Sequence, residues 1–354
     1  LLELEFAEYM DVPFALACSS GGYALHIAMR ALGVEAGDKV LCNAFTLAPV
    51  PGAIHNCGAI PVLVETTDAY RIDIDDLEQK AATSGARALM LSHMRGHIAD
   101  MDRVMEICQR YDLKMIEDCA HTMGASWNGR KSGTFGDIAC FSTQTYKHMN
   151  SGEGGFLVTD DEELAARATI LSGSYMLYGR HRAAPGPEVF ERVKYDTPNI
   201  SGRMDNLRAA ILRPQLKTLH DQVARWNERY GVLEAGLRGT PGLTVIERPA
   251  AETYVGSSIQ VLLLDWVAEA ILDVVARCAA RGVELKWFGA PEPVAFTSRY
   301  DSWRYAPSAP MPASDRVLAG ILDMRVPLTF SLEDCALIAR IIRGEVSTVY
   351  GNGA

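Results

Sequence analysis

Residues 86–118, ARALMLSHMRGHIADMDRVMEICQRYDLKMIED, decide the fold. Residues 86–92 form a short apolar run of strand length. Residues 99–111 then place Val104, Ile107 and Cys108 on one helical face. Residues 113–116 return to an apolar run. A strand, a helix and a strand in succession form a crossover unit, which pairs the two strands in parallel.

The same alternation extends outward in both directions. Residues 13–18, 39–45 and 60–65 are expected strands. Residues 23–32, closed by Gly33, a segment through Ile54, and residues 74–82 are expected helices. Beyond the central unit, 138–141 and 155–158 are expected strands. Residues 161–171 are a helix opening on acids, as the helix dipole prefers. The expected fold class is therefore α/β. A large domain, residues 1–220, carries a mostly parallel sheet covered by helices, and ligands sit beyond the carboxyl ends of its strands.

Residues 172–202 differ. Their GSYMLYGRHRAAPGPEVF core has no period, and a long irregular segment in a compact fold is a functional candidate. Helix resumes over 203–220. Later the pattern mixes strands at 243–246, 258–264 and 283–287 with helices at 266–281 and 332–342. Residues 221–354 thus read as a smaller C-terminal α+β domain.

Composition narrows the function. A length of 354 residues suits two domains, and 48% hydrophobic with 22% charged residues excludes disorder and collagen-like structure. Lys plus Arg is 34 against 44 Asp plus Glu, a net charge of −10, so no nucleic-acid partner is expected. No membrane partner is expected either, because no apolar run reaches the roughly 18 residues of a span. No leader segment is expected; the chain opens at Leu1 inside an expected helix. Eight cysteines (18, 42, 57, 108, 119, 140, 278 and 335) form no CxxC pair. They read as reduced, buried thiols of a cytoplasmic protein, with neither a disulfide framework nor a metal site.

Four features at strand ends carry the chemistry. Ser19-Ser20-Gly21-Gly22-Tyr23 lies between a strand and a helix, where free N–H groups and small side chains suit a phosphate. Asp118 ends an apolar strand and can face a cationic ring nitrogen; His121 follows three residues on. Residues 141–155, FSTQTYKHMNSGEGG, carry one lysine, Lys147, between a strand and a glycine-rich turn. In a partly desolvated place its amine becomes neutral and attacks carbonyls. The fourth feature is Asn199-Ile200-Ser201-Gly202-Arg203-Met204, just ahead of a helix. An amine, an acid and a phosphate loop together fit pyridoxal 5′-phosphate.

The chain resembles the fold-type-I, pyridoxal-phosphate-dependent sugar aminotransferases of the DegT/DnrJ/StrS type. The resemblance rests on Ser20–His26 with Ala31-Leu32-Gly33, Gly37–Val40, Gly96–Asp102, Ile116–His121 and Gly133–Asp137. Phe141-Ser142 leading to Lys147, then Gly152–Gly155 and Arg203-Met204, complete it. It covers most of residues 15–215 in order and is looser beyond.

The resemblance implies a seven-stranded-type large-domain sheet and a homodimer with the active site at the subunit interface. It makes Lys147 and Asp118 catalytic. Lys147 would hold the cofactor covalently, and Asp118 would pair with its ring nitrogen. Ser142, Gly21, and the backbone of Gly22 and Tyr23 would take the phosphate, with His121 beside the ring. Asn199 or Ser201 would reach the partner's cofactor. Leu47 stands where the family often stacks an aromatic, with Phe45 two residues away, and Gly22 replaces a usual threonine. Tyr178, Arg180 and Arg203 are the substrate candidates. The implied reaction moves an amino group from an amino acid, glutamate by analogy, to a nucleotide-linked keto-sugar in a ping-pong sequence. The alternatives are a keto-cyclitol acceptor, a dehydratase or eliminase on a related sugar, and a non-catalytic regulatory homologue.

Overall fold

The computed structural model describes residues 1–354 except 296, 308, 352 and 354. In chain order the strands are β1 (Phe14–Cys18), β2 (Lys39–Asn43), β3 (Ile60–Val64), β4 (Ala88–Ser92), β5 (Lys114–Asp118), β6 (Ser126–Trp127), β7 (Arg130–Lys131), β8 (Ile138–Ser142) and β9 (Gly155–Thr159). β10 (Glu252–Thr253), β11 (Ser258–Leu262), β12 (Lys286–Trp287) and β13 (Ile321–Arg325) follow.

Seven of them form the central sheet in the order β1-β9-β8-β5-β4-β2-β3. β2, β3, β4, β5 and β8 pair in parallel, and β9 runs antiparallel to both β8 and β1. Helices cover both faces, as a mostly parallel sheet requires. Successive residues of one strand therefore enter different cores: Met90 joins one cluster, while Leu89 and Leu91 join the other. The expected strands of residues 13–158 are all present. That β9 is reversed could not be read from an apolar run, which looks the same in either direction.

The irregular segment contains one α-helix, Pro187–Val193, besides a 3-10 turn at Tyr178–Arg180; a proline starts the α-helix at its first turn, where the missing N–H is no loss. The next helix begins at Asn206, capped by Asp205 accepting from the Arg208 N–H, and runs through residue 220 to Leu237. Of residues 243–246, only Thr244 pairs, as an isolated bridge to Leu262. The C-terminal sheet has the order β11-β13-β12. Its central strand, β13, was not anticipated, because ILDMR carries two charges and follows the helix Pro312–Gly320 without a break. The last helix runs Leu332–Gly351. All eight cysteines are free and buried. Among the described residues, no helix is long and apolar enough to cross a membrane.

Candidate active site

The carboxyl ends of β4, β5 and β8 border a cleft of about 300 Å³. Cys18 pairs with Gly155, and this brings the start of the helix Gly21–Ala31 beside Ser142. Ser20 caps that helix by accepting from the Tyr23 N–H at 3.0 Å. The first-turn N–H groups of Gly21 and Gly22 have no carbonyl four residues back to bond. Gly21 approaches so closely that a Cβ on it would lie 2.8 Å from Ser142 Cβ. The cradle is kept open by the absence of that methyl group.

Across the cleft, Asp118 ends β5 in register with Ser92 of β4. Thr46 Oγ1 donates to Ser92 Oγ (2.8 Å), and Ser92 Oγ donates to Asp118 Oδ2 (2.9 Å). Asn43 fixes Ser92 in turn, accepting its N–H and donating to its carbonyl. Asp118 Oδ1 accepts the Ala120 N–H at 3.1 Å. The carboxylate is thus pinned at both oxygens by a buried relay.

Lys147 lies in the turn between β8 and β9. Its Nζ sits 2.9 Å from His121 Nε2. Burial lowers the lysine to about 7; Asp118 opposes that shift, while Arg95 and Arg325 add to it. Burial, with Lys147 next, holds His121 well below the usual histidine range. The ring therefore stays neutral, and its Nε2 accepts from the amine. The turn closes through Thr143 N–H to Gly154 O and Thr145 N–H to Gly152 O. A Cβ on Gly154, at φ 147°, would strike Thr143 Oγ1.

The structure thus brings together Gly21, Gly22, Leu47, Asp118, His121, Ser142 and Lys147. Phe45 is elsewhere, packed edge-on to Phe288 in the core, so Leu47 is the one lining the cleft. Tyr23 also lies outside the lining. Its N–H is taken by Ser20, and its hydroxyl is 2.9 Å from the carbonyls of Leu171 and Ile200.

Asn199 and Tyr178 border a separate, open recess with Tyr175 and Ser201. There Tyr178 stacks on Phe190, and Arg203 bonds the Gly173 carbonyl at 2.6 Å and covers the Tyr175 ring. Arg180 is exposed on the same segment. Within one chain, none of these four residues lines the lysine cleft.

Several residues at or behind the cleft wall were not anticipated. Ser92, behind Asp118, obeys the rule that singled out that residue, a polar side chain ending a parallel strand. Arg95 follows β4 in a tight turn, and Arg325 ends the unforeseen strand β13. Near the cleft, His93, Glu117 and Cys119 bring ligand-type atoms within 4.8 Å of one another. The Glu117 carboxylate already accepts three N–H groups, from Gly133, Phe135 and Gly136 (2.9, 2.7 and 2.9 Å). Burial pushes the Cys119 thiol well up. This trio is a brace for the 133–136 turn.

With the Lys147 amine, the Asp118 carboxylate and an open helix N-terminus facing a common space, the residues fit pyridoxal 5′-phosphate. Residues 1–343 match the DegT/DnrJ/EryC1/StrS aminotransferase family, and the chain belongs to it. GDP-perosamine synthase of Caulobacter vibrioides is 35% identical over 223 residues, 63% of this chain and 57% of its own length. A putative L-glutamine:3-amino-2,3-dideoxy-scyllo-inosose aminotransferase of Micromonospora echinospora is 42% identical over 212 residues, 60% of this chain and 48% of its own. The chain thus spans about half to three-fifths of the curated relatives it matches. Among solved structures, 3-amino-5-hydroxybenzoic acid synthase superposes with a TM-score of 0.83 at 26% identity, covering 98% of this chain and 90% of that one. DesV of S. venezuelae gives 0.82 at 28%, covering 98% and 88%.

Proposed function

We propose that this protein is a pyridoxal 5′-phosphate-dependent aminotransferase. It moves an amino group from an amino acid, glutamate in the first instance, to a nucleotide-linked keto-sugar. The observation that carries this reading is the half-buried Lys147 amine, lowered to about 7, opposite a carboxylate pinned by Ser92. When bound, the cofactor supplies a cationic ring that accepts the electrons of a neighbouring C–H bond.

This chain's residues have separable roles. Lys147 holds the cofactor covalently, and its freed amine then takes a proton from the substrate carbon and returns it nearby. A lysine lowered to about 7 carries a usable fraction of both forms at neutral pH. His121, kept neutral, accepts a hydrogen bond from the amine and steers it. Asp118, held by Ser92 and the Ala120 N–H, would pair with the ring nitrogen. Gly21, Gly22 and Ser142 receive the phosphate.

The protein works as a homodimer in this reading. The segment that carries Asn199, Tyr178, Arg180 and Arg203 exposes Tyr175, Met176, Leu177 and Ile200, an apolar group suited to a partner. Asn199 or Ser201 reaches the partner's cofactor, and Tyr178, Arg180 and Arg203 meet its substrate. A keto-cyclitol acceptor is the second reading, favoured by the 42% identity to the scyllo-inosose enzyme.

The test is borohydride reduction of the cofactor-loaded protein followed by peptide mapping. Label on Lys147 is expected, and label on another lysine would sink the assignment. Lys147→Ala should fold yet lose turnover. Conversion of the bound cofactor to its amine form by glutamate separates amino transfer from dehydration.

A further inference from the structure

We propose that Arg95 and Arg325 form a carboxylate subsite that holds the 2-amino acid donor, and the 2-oxo acid it becomes, by the carboxylate bonded to the carbon that meets Lys147. The inference rests on the transaminase reading above and names how that site selects its donor.

Arg95 occupies the turn Met94–Gly96 after β4 with φ 53° and ψ 24°, a left-handed backbone that a non-glycine residue adopts only under constraint. The constraint delivers a guanidinium, 6% exposed, to the cleft wall. Arg325 arrives from the other unit, at the end of β13. It covers the Tyr146 ring at 4.7 Å and bonds the Tyr146 carbonyl, one residue before Lys147. Two remote segments of chain thus bring two forks to one amine.

Their position separates them from the phosphate cradle. Arg95 and Arg325 share a small recess with His121, Lys147 and His148 that includes neither Gly21 nor Ser142. Among the described residues lining the main cleft, the arginines and Lys147 are the basic side chains apart from the neutral His121.

Charge is also unbalanced there. Asp323 Oδ2 lies 3.0 Å from Arg95 Nη2. Gln260 Nε2 holds Asp323 Oδ1 at 2.7 Å, and His97 lies 2.8 Å from Gln260 Oε1. That network pairs directly with Arg95, and Asp323 only partly offsets the lowering of Arg325. Arg325 is lowered to about 10 by burial, with Arg95 next in effect. A desolvated cation is costly until an anion meets it. A carboxylate matches the planar fork in shape and charge. In a 2-amino acid the carboxylate is bonded directly to the carbon that Lys147 must reach, so the shared wall fits this class and not a simple amine.

The experiment uses the holoprotein and follows loss of the aldehyde-form absorbance with L-alanine, and separately with 2-aminopropane, which lacks the carboxylate. In Arg325→Gln the half-saturating alanine concentration should rise about tenfold or more, the loss of one charge-assisted hydrogen bond. The limiting rate should fall less, 2-aminopropane should lose far less than alanine, and Arg325→Lys should recover part of the affinity. Arg95→Gln, made together with Asp323→Asn so that no buried carboxylate is stranded, should behave alike. Unchanged half-saturation, or equal losses for both amines, would overturn the subsite. If wild-type protein responds to L-glutamate alone, the half-saturation comparison is made with glutamate; if it loads cofactor yet responds to none of the three, the transaminase reading fails instead. The subsite is then read by calorimetric binding of succinate, which Arg325→Gln must abolish and whose absence from the wild type overturns it.

Discussion

Replacing Ser92 by alanine tests whether the carboxylate opposite Lys147 acts through its fixed orientation. The hydroxyl donates 2.9 Å to Asp118 Oδ2 and receives Thr46 Oγ1 at 2.8 Å. Ser92 and Thr46 are buried, so water cannot replace the lost bonds. A hydrogen bond to a charged group contributes about 1.5–3 kcal/mol. The Ala120 N–H still holds Oδ1, but the carboxylate becomes free to turn about that contact. Ser92→Ala should therefore weaken pyridoxal phosphate binding about 10- to 100-fold. Thr46→Val removes only the outer donor of the relay and should cost less. The assay is an absorbance titration of cofactor-free protein, with far-ultraviolet circular dichroism to establish folding. Binding unchanged in Ser92→Ala, alongside a large loss in Asp118→Asn, would refute the orienting role.

Further outcomes follow from the same geometry. Covalent capture of pyridoxal phosphate by cofactor-free protein should rise with pH until about 7 and level off, because that is where burial sets the Lys147 amine. The unfolded chain keeps this proton up to the ordinary lysine value of 10.5, so chemical denaturation of cofactor-free protein should show stability rising between about 7 and 10.5. Gly21→Ala should lower the melting temperature and cofactor affinity together, since overpacking of this kind costs about 1–3 kcal/mol. Ser142→Gly in the same chain should restore the melting temperature, because it removes the Cβ that would lie 2.8 Å away. Glu117→Gln should destabilise by about 2–3 kcal/mol, measured by denaturant unfolding, because an amide NH₂ replaces an acceptor facing backbone N–H groups. Burial pushes Glu117 up, but the His93 ring and the backbone N–H groups outweigh it and leave it below 4.5. Its contribution is therefore present above 4.5 and lost as the pH falls through the lowered value.

Much of the large sheet is legible in the sequence, because each buried parallel strand is a short apolar run bounded by turn residues. Asp118 stands out as a polar group ending such a run, and Lys147 as the one lysine in the turn that follows another. What escapes reading has physical causes. Arg325 lies on a strand whose inner face holds Asp323, so the run ILDMR fails an apolar test even though its charges are answered across the fold. Arg95 is placed by a left-handed turn that its sequence neighbours do not announce. The helix from Asn206 continues past the expected end at residue 220 to Leu237, because Tyr230, Leu233 and Leu237 bury themselves against the C-terminal core.

The pairing of Cys18 with Gly155 has a consequence for how the protein is made. The glycine turn is translated early, yet its place beside Ser142 is fixed only when β9 slots between β1 and β8. A ribosome must therefore release residues 155–159 before the two halves of the cradle can meet. Vitamin capture then becomes a late event in biogenesis, and a nascent chain halted before residue 155 should not retain the coenzyme, however well its first strands have formed.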